Sequence, residues 1–81
     1  MTNLEKLAQF KAFCEREYKD TKRAIEKGWG ESAEEIGLKG ITRCLGAADF
    51  LQYLNVPFEE VDEIYLEYRE KFYNEFILRR K

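Results

Sequence analysis

IGLKGITRCLGAADFL, residues 36–51, decides how this chain folds. It carries three glycines and two adjacent alanines inside an apolar pattern of helical period. Gly37, Gly40 and Gly46 each cost a helix about 1 kcal/mol relative to alanine, so a helix that keeps them needs a packing reason. At 100° per residue, Gly37, Gly40, Cys44 and Ala48 fall on one ridge of small side chains, with Ile36, Ile41, Leu51 and Leu54 beside them, while Gly46 points elsewhere. A slim face of this kind predicts a middle helix approached closely by large residues on both sides.

Those large residues lie in the flanking segments. Upstream, Leu4, Leu7, Phe10, Cys14, Tyr18, Thr21 and Ile25 recur at steps of three or four. Thr2 with Glu5, and Ser32 with Glu35, have capping-box spacing, and Gly28 suits the left-handed position that ends a helix. Downstream, Asn55 and Pro57 punctuate the chain before a mostly aromatic stripe of Phe58, Val61, Tyr65, Tyr68, Phe72 and Phe76. The reading is an all-α antiparallel three-helix bundle, with helices over about 3–27, 33–54 and 57–79, filling a single domain from 1 to 81. Short turns make neighbours antiparallel. Phe10 then faces Ala48, Tyr18 faces Gly40, Cys14 lies level with Cys44, and Phe72 falls by Gly40 and Tyr68 by Cys44, setting large against small throughout. The alternative breaks helix two at Gly37–Gly40, giving four helices.

Composition closes off several functions. With 81 residues, 44% hydrophobic and 37% charged, the chain has enough apolar surface for one core. Fourteen basic against sixteen acidic residues give no general electrostatic footprint for nucleic acid or an anionic membrane. Histidine is absent, which removes the commonest general base and the His-containing metal motifs. No phosphate loop or dinucleotide fingerprint occurs. The expectation is therefore a protein that is not an enzyme, with no cofactor, no metal and no small-molecule substrate. Met1-Thr2-Asn3 leads directly into a charged amphipathic stretch and no apolar run exceeds three residues, which reads as a cytoplasmic chain without signal peptide or membrane span.

Several motifs carry two readings. Glu59, Glu60, Asp62, Glu63 and Glu67 are read as a solvated helix start rather than a cation site, since carboxylate sites in bundles draw on several helices. Cys14 and Cys44 are read as reduced core thiols touching across a helix pair, with a redox-responsive bridge as the alternative. Trp29 either closes the cap at the first turn or anchors a partner. Leu66, Tyr73 and Ile77 widen the apolar arc of helix three past half its circumference, and Phe13, Phe50 and Tyr53 also lie off the main face. Together these residues predict an interaction surface. The expected function is a small protein-interaction module, self-associating as a homodimer through helix three or binding another protein, since contiguous apolar patches mark interfaces. The alternative is a nucleic-acid-associated regulator. It would use the basic end of helix one (Arg16, Lys19, Lys22, Arg23, Lys27) with Arg43, or the helix-turn-helix-like segment 32–45. Interleaved Glu15, Glu17, Asp20 and Glu26 dilute that basic stretch.

Overall fold

A computed structural model describes residues 2–28 and 32–78. Three helices, α1 (Asn3–Lys27), α2 (Ala33–Tyr53) and α3 (Phe58–Phe72), all contact one another, and a π-helical turn at Tyr73–Ile77 extends the last. The protein is a small all-α three-helix bundle.

The helix starts are set by side chains that satisfy orphaned backbone amides. Thr2 Oγ1 accepts from the Glu5 amide at 3.1 Å while the Glu5 carboxylate accepts from the Thr2 amide at 2.8 Å. Ser32 and Glu35 repeat the exchange at the head of α2. Gly28, at φ +66°, closes α1 in the left-handed region that only glycine enters without a Cβ penalty. The α2 terminus uses Asn55 instead, at φ +67°, with the Val56 amide donating to the Leu51 carbonyl and the Asn55 amide to that of Gln52. This is a Schellman closure, and buried Val56 supplies its apolar contact.

Two boundaries differ from the sequence reading. Leu54 lies in the turn rather than in α2, and Pro57 is the cap residue before α3 rather than its first helical residue. A larger correction concerns the glycines. α2 runs without interruption from Ala33 to Tyr53, so the four-helix alternative falls, and so does the helix-turn-helix reading of 32–45, because no turn exists there. The glycine ridge is buried in two tight contacts. A Cβ on Gly40 would lie 2.5 Å from Phe72 Cε2 and 2.9 Å from Thr21 Oγ1, and one on Gly37 would lie 2.9 Å from Phe76 Cβ.

α1 therefore presents Thr21, not Tyr18, to Gly40. Tyr18 turns to α3, where its ring meets Phe72 edge-on at 5.6 Å and Phe76 at 5.4 Å. The core comprises Leu7, Phe10 and Cys14 from α1, Ile41, Cys44, Ala48 and Leu51 from α2, and Val61, Tyr68, Phe72 and Phe76 from the last helix. Leu4 and Phe58, expected on the inner stripes, are exposed. The α1–α3 seam is held at its wet edge. Tyr68 OH donates to Glu15 Oε1 at 2.7 Å, and the Lys71 ammonium sits 3.8 Å from that oxygen and over the Tyr68 and Tyr18 rings. The Tyr68 hydrogen bond, helped by Lys71 and Lys19, holds the Glu15 carboxyl below the usual carboxylate range.

Candidate functional site

Three helices around one core leave three outer seams, and the one between α1 and α2, on the side away from α3, stays open. Residues on α1 at 6, 9, 10 and 13 recur at steps of three and four, and those on α2 at 47, 50, 51 and 54 do the same, so each helix lends one row of side chains to a shared, mostly apolar groove. Its volume is about 500 Å³, and Lys6 and Gln9 are its polar lining residues. The floor is Phe10 and Leu51, both buried; Phe13 and Ala47 form the half-buried walls. Phe50 stands at the lip, 60% exposed, with its ring stacked on that of Tyr53, which is 81% exposed. One turn past Phe13 along the same helix pair, the Arg43 guanidinium bridges to Glu17.

Cys14 and Cys44 lie between the same two helices, beneath the groove and wholly buried. The thiols meet across the seam. Hydrogen bonding to Cys44, together with burial, pushes the Cys14 thiol far above the usual thiol range. Arg43, the cation that acts on Cys44 among the described residues, is already tied to Glu17. Both sulfurs are therefore expected to resist a water-soluble thiol reagent in the native protein and to react together once denaturant opens the α1–α2 seam. Rapid labelling of either in buffer, followed by absorbance, would overturn this packing.

The sequence-derived surface residues separate into two groups. Phe13, Phe50 and Tyr53 come together at the groove and its lip. Leu66, Tyr73 and Ile77 do not join them. Leu66 is 47% exposed on α3, while Tyr73 and Ile77 are half-buried against the core. The π turn accounts for this: by spreading one turn over an extra residue, it keeps Phe72 and Phe76 inward and still brings Ile77 to 3.6 Å from the Gly37 position. Arg69 then covers the Tyr73 ring at 4.9 Å. Trp29 lies outside the described residues. Leu54, assigned to the core by its spacing, emerges as part of the groove at 38% exposure. Its neighbour in sequence, Asn55, was the available sign that the helix ends there.

The basic positions of α1 and α2 are interleaved with acids in space as well as in sequence. Lys19 lies near Glu15, Arg23 near Asp20, and Arg43 is bound to Glu17. Among the described residues, no three metal-ligating side chains gather, and no helix is long and apolar enough to cross a membrane. The acids at 59, 60, 62, 63 and 67 remain on α3 alone. Fold and site thus define the class: an all-α three-helix bundle with an open apolar groove between α1 and α2. Comparison with known protein families, with curated proteins and with solved structures finds no match to this chain.

Proposed function

We propose that this protein is a non-catalytic protein-interaction module whose working surface is the groove between α1 and α2. The observation that carries the reading is the stacked Phe50–Tyr53 pair held in water at the lip of an apolar groove. Burying aromatic side chains is the largest single apolar gain open to a residue on association, and aromatic anchors dominate interface energetics. Exposing both beside an open groove, in a chain whose core already uses Phe10, Tyr68, Phe72 and Phe76, fits a surface kept for a second protein. Lys6, Gln9 and the Arg43–Glu17 pair supply a polar rim that sets orientation.

Leu66, Tyr73 and Leu78 line a smaller, more polar depression on the last helix that also includes Arg69, Glu70 and Asn74. It supports association less well, because Tyr73 is already packed against the core and half of its lining is polar or charged.

The test is residue-resolved nuclear magnetic resonance with a small anionic naphthalene dye as apolar probe. Shifts are expected to cluster at residues 9–13 and 47–54, and Phe50→Glu is expected to reduce probe affinity at least tenfold while leaving the helical circular dichroism intact. Shifts centred on Leu66–Leu78, or spread evenly over the surface, would remove the groove as the site.

A further inference from the structure

Two cysteines on neighbouring helices can be bridged without moving the backbone only where their Cα atoms lie within about 7 Å and their side chains point at each other. We infer that Cys14 of α1 and Cys44 of α2 are a covalent modification site: a low-molecular-weight disulfide oxidises them to a bridge within the chain that staples α1 to α2, and the native packing then shields that bridge from reductant. This goes beyond the interaction reading and does not depend on what enters the groove.

Register is the first support. Thr21 meets Gly40, Glu17 holds Arg43, and Phe10 and Phe13 share the groove with Ala47 and Leu51. Descending α1 through these residues ascends α2, as antiparallel neighbours must. Cys14 and Cys44 fall in the same interval of that series on both helices, between the Glu17–Arg43 pair and the groove. Both side chains turn inward, to 0% and 2% exposure, and the Cys14 thiol donates a hydrogen bond to the Cys44 sulfur.

Helix spacing is the second. A Cβ on Gly40 would stand 2.9 Å from Thr21 Oγ1. Adding the bonds on either side puts the Gly40 and Thr21 Cα atoms within roughly 7 Å of each other, inside the reach of a disulfide. Cys44 follows Gly40 by one turn on the same ridge of α2, and Ala48 follows by another. The ridge therefore carries no bulky side chain at Gly40, Cys44 or Ala48 to prop the two helices apart around the cysteines.

The reaction is thiol–disulfide exchange with glutathione disulfide or a compound of its class. One cysteine, as thiolate, attacks a sulfur of the oxidant and releases one thiol, leaving a mixed disulfide. The other cysteine, as thiolate, displaces the second thiol and closes the bridge. One S–S bond forms in the chain and one breaks in the oxidant; two electrons pass to the oxidant, and the two cysteine protons end on the released thiols. Because both sulfurs are buried, the first attack waits for the α1–α2 seam to open, while the second is intramolecular and is favoured as the helices close. The same burial keeps reductant from the finished bridge. Its loop spans about thirty residues, so it restricts the unfolded chain, and whatever factor the bridge adds to folding, folding adds to the bridge.

The test compares wild-type chain refolded from urea with glutathione disulfide and with reduced glutathione. The oxidised product is expected to be two hydrogens lighter, to show no thiol in denaturant, to run as a single chain on a non-reducing gel, and to melt about 10 °C or more above the reduced chain. In glutathione redox mixtures the equilibrium constant for bridging is expected to be at least about a hundredfold larger in buffer than in urea. Glutathione retained on either cysteine, or chains cross-linked to each other, would overturn the proposal, because the native seam would then not bring the sulfurs together. A bridge that forms but lowers the melting midpoint would overturn it equally, by showing that the helices must be forced out of place to make it. Rapid reduction of the bridge by dithiothreitol without denaturant would overturn the shielding.

Discussion

Phe72→Ala is expected to lose about 3–5 kcal/mol of folding stability, the range for emptying a buried phenylalanine site. Domains of this kind begin near about 5 kcal/mol in total, so the variant should be largely unfolded in buffer or melt tens of degrees lower. The magnitude follows from where the ring sits. Phe72 has no exposed surface, fills the space over Gly40, and is contacted by the rings of Tyr18 and Phe76, at 5.6 and 5.7 Å. α2 has no side chain at Gly40 with which to close the void, and the Tyr18 ring is held from its other side by Lys71. Urea unfolding followed by circular dichroism measures the loss. A shift below about 1 kcal/mol, the scale of an ordinary surface change, would show that α3 does not rest on this contact.

Gly40→Ala and Gly46→Ala are expected to move stability in opposite directions, although both exchange glycine for the better helix former. At Gly46 an added Cβ meets nothing within 4 Å, and the residue lies in helical backbone, so the gain is the propensity itself, about 0.5–1 kcal/mol. At Gly40 the same methyl would stand 2.5 Å from the Phe72 ring and 2.9 Å from the Thr21 hydroxyl. Neither can step aside. Thr21 is buried, its Oγ1 lacks a hydrogen-bond partner among the described residues, and Phe72 is wedged between two rings. Overpacking of this kind costs about 1–3 kcal/mol and outweighs the propensity gain. Gly40→Val adds further volume and is expected to abolish folding. Thermal midpoints of the two alanine variants, read against wild type, test the sign directly. A stabilised Gly40→Ala would mean the helices stand further apart than the contact distances require.

The helix ends and the glycine ridge were legible because their causes are local. Thr2 with Glu5 and Ser32 with Glu35 form capping boxes between residues three apart, and Gly28 enters the left-handed region through its own missing Cβ. Inward placement of Gly37 and Gly40, with Gly46 turned out, follows from the angle each residue makes about one helix axis. Pairing Phe72 with Gly40 also came from the sequence, because a slim middle helix leaves few places for so large a ring.

The groove was legible only in pieces. Phe13, Phe50 and Tyr53 stood out as apolar residues off the main faces, but nothing in their spacing joined them to Leu54 or set them apart from Leu66, Tyr73 and Ile77. Periodicity reports a residue's bearing around its own helix. It does not report which neighbour occupies that bearing. One π turn at Tyr73–Ile77 drew two of the helix-three candidates onto the core, and packing Thr21 rather than Tyr18 against Gly40 freed Tyr18 to fill the space between α1 and α3. Sequence alone therefore determined three helices, the capping boxes of the first two and the close contact at the middle one, since each depends on interactions within a few residues or on side-chain volume. The tertiary structure decided which apolar surplus stayed open, because the seam between α1 and α2 faces away from α3 and none of the described residues covers it.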